Sequence, residues 1–342
     1  MATISVSAGK QSVNNNLAIR LARFREVGIV LFLLLIVVGA TAVQPRFMTP
    51  FNLRSILLWV PLLTVIAMGE MMVIITRGFD VSVGSIVGFA GMVVGMLFRD
   101  NPGFDIYLGT FLAILIGAAL GAINGGLIAW AKIPPVIVTL GALSWIRGLT
   151  FVVSDGRQID PNYVPTELIR WSQVGPFDIE VVPWVVIIAA VVAILAYLFL
   201  HYTKTGRNVY AIGSNPDAAQ LRGIPVNRTK LIVYTITGGM AGLAGILYAS
   251  RFGFVNPGTT GVGLELTVIA AVVIGGTNVF GGSGSVGGVV LGCLLLGTIN
   301  VALAVLGIDA TWQTAVYGFV ILLAVVTDAI IQTELRRAST GE

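Results

Sequence analysis

Five polar side chains lie within otherwise apolar runs of this 342-residue sequence: Glu70, Asn124, Arg147, Glu265 and Asn300. An ionisable or amide group is expensive in hydrocarbon, so each is a candidate for work rather than bulk packing. Glu70 and Glu265 are carboxylates that could couple to an ion, although Glu265 falls nearer the end of its run. A second set suits a neutral, hydroxyl-bearing solute. Asn124, Asn300 and Gln313 could meet hydroxyls, and Trp145 and Trp312 could face an apolar ring surface. For each of these, interhelical hydrogen bonding or interfacial anchoring competes with solute contact and is the preferred reading.

Bond-making chemistry finds little support. The sequence has one histidine, His201, at the end of an apolar run, where it reads as interfacial. No GxxxxGK[ST] phosphate loop occurs, so ATP is not bound here in that manner. Paired carboxylates, a nucleophile with its base, metal-ligand spacing and cofactor motifs are all missing, and no enzyme is expected. The single Cys293 rules out a disulfide framework.

The longest basic polar interruption is 204–230, which holds five Lys and Arg against one acid, Asp217. Within it Ser214, Asn215, Pro216 and Asp217 spell a helix start. Ser214 or Asn215 can cap free N–H groups, proline suits the first turn, and Asp217 complements the positive dipole end. Ala218, Ala219, Gln220, Leu221 and Arg222 continue as good helix, and Gly223, Ile224 and Pro225 stop it. So short a helix is not stable alone in water and needs a surface to lie against.

Hydrophobic residues make up 56% of the chain and charged residues 11%, against about 25% charged in soluble domains. The expected fold is therefore an all-α polytopic membrane protein. Ten candidate spans fit: 27–43, 55–76, 83–98, 107–131, 135–153, 182–203, 231–250, 264–279, 286–306 and 311–331. Residues 1–26 form an N-terminal tail, 27–331 the membrane domain and 332–342 a C-terminal tail. With the N-terminus inside, thirteen Lys and Arg flank inner connections and seven flank outer ones. That bias predicts both termini and the 204–230 loop in the cytoplasm, and the 154–181 loop outside. The basic residues sit beside spans and report orientation; nothing suggests nucleic acid.

Three further stretches carry turn chemistry. In 77–85, RGFDVSVGS, Gly78 permits a tight turn, and Asp80 or Ser82 is expected to cap the next helix with Arg77 nearby. In 132–141, KIPPVIVTLG, two prolines end one helix and open the next. In 275–288, GGTNVFGGSGSVGG, so much glycine implies irregular backbone that must pack in protein or face water. Residues 273–286 also echo 73–86, and glycine-interrupted segments in corresponding places point to broken or re-entrant helices. Chance similarity between glycine-rich apolar segments explains the echo equally well.

Together with GSNPDAAQLRGI at 213–224, these stretches resemble the permease subunits of ATP-binding-cassette importers for monosaccharides, a family that includes ribose-, xylose-, rhamnose- and autoinducer-2-type systems. The resemblance runs from about Asn52 to Asp328. It includes Arg147-Gly148 after the proline hairpin and Glu265-Leu266 before 269–276. Phe79 and Asn278-Val279 depart from its usual residues, and the first fifty residues match loosely. The resemblance implies a second permease subunit, a cytoplasmic ATPase, a periplasmic or lipid-anchored solute-binding protein, and residence in the bacterial inner membrane. It also implies that Ser214–Ile224 seats on the ATPase. Two alternatives stand beside it: an ion-coupled secondary transporter using Glu70 and Glu265, and a related permease for branched-chain amino acids.

Overall fold

The computed structural model describes residues 26–178 and 180–309, with positions 312, 315, 316, 318, 319, 322 and 326 beyond them. The expected tail to residue 25, Gln313, most of the 311–331 span and the tail 332–342 lie outside the described residues.

Among the described residues the secondary structure is helical, apart from one isolated bridge between Ile159 and Val255. Eight helices among the described residues are long and apolar enough to cross a membrane. They are α1 (Glu26–Val43), α2 (Pro50–Ile75), α3 (Val83–Asp100), α4 (Ile106–Trp130), α5 (Pro135–Ser154), α7 (Trp184–Tyr202), α10 (Val226–Phe252) and α12 (Val286–Val305). The intervening helices are α6 (Thr166–Gln173), α8 (Lys204–Ser214), α9 (Pro216–Leu221) and α11 (Leu264–Ile274). The chain is a polytopic, all-α membrane protein.

The expected span 264–279 needs correction. Its helix, α11, has 11 residues, about 16 Å at 1.5 Å per residue, half of a ~30 Å hydrocarbon layer. Gly275 closes it and Gly276, at φ 97°, turns the chain away. The glycines that blurred the boundary in the sequence are what shorten the helix.

The apolar window of α2 is 83% buried against 11% for α1, so α2 is the axis of the bundle and α1 a peripheral helix. Close packing without a hydrophobic drive needs small residues. On α4, Gly117, Gly121 and Gly125 recur every four residues and meet α10; a Cβ at Gly121 would strike the Tyr234 carbonyl and the Gly238 Cα. Within the 154–181 loop, α6 is fastened to the bundle. The Ser172 hydroxyl donates to the Ser250 carbonyl at 3.0 Å, and the Ser250 hydroxyl donates to the Leu168 carbonyl at 2.6 Å.

Candidate functional site

The basic loop folds into two consecutive helices, α8 and α9. The sequence left two capping residues open, and the structure chooses Asn215: its Oδ1 accepts the Ala218 N–H at 3.0 Å. Ser214 is instead the last residue of α8, its hydroxyl donating back to the Tyr210 carbonyl at 2.9 Å. At the other end of α9, the Gly223 N–H donates to Gln220 and the Ile224 N–H to Ala219, both at 3.0 Å. With Gly223 at φ 76° this is a Schellman closure. Ala219 faces inward at 4% exposure, while Leu221 stands 89% exposed beside exposed Asp217, Gln220 and Arg222. The helix thus presents a bare leucine within a polar rim.

The end of α2 approaches this element. Thr76 caps α2, Arg77 sits at φ 64°, and the Gly78 N–H donates to the Val73 carbonyl at 3.0 Å. The Arg77 side chain runs to α8, where Nε donates to the Gly213 carbonyl at 2.7 Å and Nη2 to the Ser214 carbonyl at 2.8 Å. The expectation that Asp80 or Ser82 caps α3 needs correction. Asp80 and Ser82 are fully buried, and neither caps α3 by a side-chain bond.

Asp80 instead closes its own turn. Its Oδ1 accepts the Ser82 N–H at 3.0 Å and the Ser82 hydroxyl at 2.5 Å, while its backbone N–H donates to Glu70 Oε1 at 3.0 Å. Asn124 Nδ2 donates to the Ser82 hydroxyl at 2.9 Å, tying α4 to the same turn. Loss of water around Asp80 pushes its carboxyl up to about 6 from 3.8, against the opposing pull of both Ser82 bonds. Glu70 Oε2, Asp80 Oδ2 and the Tyr234 hydroxyl are buried with no hydrogen-bond partner among the described residues. Gly78 makes room for that hydroxyl, which a Cβ there would strike.

Arg147 and Glu265 face the glycine edge of α3 together. Arg147 Nη1 donates to the Thr260 carbonyl at 2.7 Å, and Glu265 Oε1 accepts the Gly263 N–H at 3.2 Å. Side chains at Gly88 and Gly84 would meet the Arg147 guanidinium and the Glu265 carboxylate respectively. Glu265 lies in the first turn of α11, near an end as expected.

The candidate solute residues that the structure describes lie on different elements. Asn124 is buried and engaged with Ser82; Asn300 is half-buried on α12; Trp145 and Trp312 are exposed on α5 and beyond α12. A cavity of about 840 Å³ opens between the 101–106 turn and α6, lined by residues such as Tyr107, Arg170, Trp171 and Trp184. None of the described candidate solute residues lines it. What sequence reasoning missed is the Arg77 bond to α8 and the Tyr234 hydroxyl over Gly78. Neither had a local signal, because each joins segments more than a hundred residues apart.

Among the described residues, eight helices long and apolar enough to cross a membrane thus accompany a capped helix pair, α8 and α9, that folds from the basic 204–230 loop. The chain belongs to the family of branched-chain amino acid transport system permease components, whose model matches residues 52–325. It is a membrane permease component of an import system of the ATP-binding-cassette class. Among similar curated proteins is the autoinducer 2 import system permease protein LsrC of Photorhabdus luminescens, 37% identical and covering 82% of each chain. Another is the ribose import permease protein RbsC of Escherichia coli K12, 36% identical over 86% of this chain and 91% of its own. LsrC of Escherichia coli O9:H4 is 36% identical over 92% of this chain and 89% of its own. No solved structure matches.

Proposed function

We propose that this permease imports a small neutral sugar or sugar-like solute, driven by a separate ATPase that seats on Ser214–Ile224. The observation that carries the reading is α9 itself. A helix of six residues with a leucine 89% exposed has too little surface of its own to be stable alone, and it suits a groove on a partner. The basic balance of 204–230 supports a cytoplasmic location for it, with both termini on that side of the inner membrane. The 154–181 loop then faces outward, where a periplasmic or lipid-anchored binding protein would dock. A second permease subunit would complete the pathway.

The family's printed description names branched-chain amino acids, whereas the relatives described above are named for ribose and autoinducer 2. The spans favour the neutral solute. A zwitterion needs a cation and an anion to meet its ends, and here Glu70 is fully buried while Arg147 and Glu265 are engaged with 260–263. The permease supplies differential affinity for two states, and no chemistry.

Pull-down of the tagged chain in mild detergent, followed by an ATPase assay with candidate sugar-loaded binding proteins, tests the proposal. A co-purifying ATPase stimulated by one loaded binding protein supports it and identifies the cargo. A chain that arrives alone and moves solute in proteoliposomes on an ion gradient refutes it.

A further inference from the structure

Arg77 occupies the left-handed position that closes α2, at φ 64°. Glycine is the usual residue there, because a Cβ crowds the following carbonyl. An arginine held in that conformation invites a reason in its side chain. Its two donors reach the last carbonyls of α8, Gly213 and Ser214, at 2.7 and 2.8 Å. Carbonyls at a helix C-terminus have no partner within the helix, and a cation is favoured there. A guanidinium presents its donors in a fixed fork, which an ammonium does not.

The glycine loop 275–285 completes the junction. The Gly282 N–H donates to the Ile75 carbonyl at 3.0 Å. A Cβ at Gly213 would strike the Ile75 carbonyl and the Gly282 backbone, and one at Gly281 would strike the Arg77 side chain. Three segments distant in sequence therefore meet at one point, and α9 begins directly beyond it at its cap, Asn215. Three residues after Arg77, the Asp80 N–H is held by Glu70 of α2.

We propose that Arg77 is a positioning residue that fastens the α8–α9 corner to the 76–82 turn. Displacement of α9 by a partner then moves that turn, and with it the adjoining ends of α2 and α3. The inference rests on the reading of α9 as the ATPase seat. The Arg77 fork transmits the motion, and the interlocked Gly213 and Gly281–Gly282 backbone keeps the joint stiff.

The test uses the permease with its co-purified ATPase in lipid nanodiscs, in a Cys293→Ser background. Nitroxide labels at Phe79→Cys and Val136→Cys report the position of the turn against the start of α5, with ATP as the probe. In the otherwise unsubstituted chain ATP is expected to shift the 79–136 distance distribution. Arg77→Gly relieves the backbone and preserves the closure of α2, so a purely structural role would leave the shift intact. The expected result is retained ATPase binding with the shifted population reduced about 10-fold, a typical coupling factor. Arg77→Lys is expected to recover only part of it. An equal shift in Arg77→Gly, or no shift before Arg77 is replaced, overturns the proposal while leaving the ATPase seat standing. Loss of ATPase co-purification from the chain with Arg77 intact sinks the α9 reading beneath it.

Discussion

Replacing Asp80 by asparagine asks what the closed turn costs in charge. The carboxyl is fully buried, and burial lifts it from 3.8 to about 6. An acid whose pKa is higher folded than unfolded binds its proton more tightly when folded. Its support for folding is complete below about pH 4 and is lost as pH rises through about 6. The gap from 3.8 to about 6 corresponds to about 3 kcal/mol at pH 8, but to less than about 1 kcal/mol at pH 4. Asparagine keeps an Oδ1 that can accept both Ser82 bonds and carries no charge. Against this stands its extra amide donor, which costs about 1 kcal/mol if buried unmade. Asp80→Asn is therefore expected to change stability little or slightly unfavourably at pH 4 and to stabilise by about 2 kcal/mol at pH 8. The assay is thermal melting in detergent at a fixed scan rate, comparing the two chains at both pH values. A loss of equal size at pH 4 and pH 8 would refute the reasoning, because burial would then not be the dominant influence on this carboxyl.

Gly121→Leu forces a side chain against the Tyr234 carbonyl and the Gly238 Cα; melting should show a loss of at least about 2 kcal/mol, and an unchanged transition would mean that α4 and α10 are not closely packed. Leu221→Asp alters an exposed residue, so melting should not move, while ATPase co-purification should weaken about 10-fold or more, as expected of an interface anchor. Asn215→Ala removes the only side-chain cap of α9 among the described residues; a loss of about 1 kcal/mol should appear as faster hydrogen exchange at Ala218, with the spans unaffected.

Spans were legible because apolar run length is a one-dimensional property that lipid imposes directly. All of the first nine expected spans have a helix in the structure, although α11 is too short to cross. The α9 helix was legible for a similar reason: Asn215, Pro216, Asp217 and Gly223 carry local backbone preferences at its two ends. Burial rank was not legible. The apolar runs of α1 and α2 look alike in sequence, and only packing makes one peripheral and the other central. The burial of Asp80 was not legible either: its N–H is held by Glu70 of α2 and its carboxylate by Ser82, which Asn124 of α4 reaches in turn. Candidate solute residues were chosen by type alone, and type says nothing about which face of a helix a side chain occupies.

The two glycine-bearing turns, 76–82 and 275–285, looked alike in the sequence, with chance an equal explanation. Their structural relation does not depend on which explanation holds. Each follows a helix that ends at an isoleucine, Ile75 or Ile274, and each precedes a helix that opens at a valine, Val83 or Val286. They touch through the Gly282 N–H and the Ile75 carbonyl, and Tyr210 of α8 donates to the Gly284 carbonyl at 3.1 Å. Irregular backbone of this kind is tolerated beside lipid only where protein supplies its hydrogen bonds. The α8 helix supplies the Tyr210 bond to the glycine loop and receives both bonds of Arg77 from the other turn. The helix that leads into α9 is thus bonded to both turns at once. An element so placed cannot shift without breaking those bonds or carrying both turns with it.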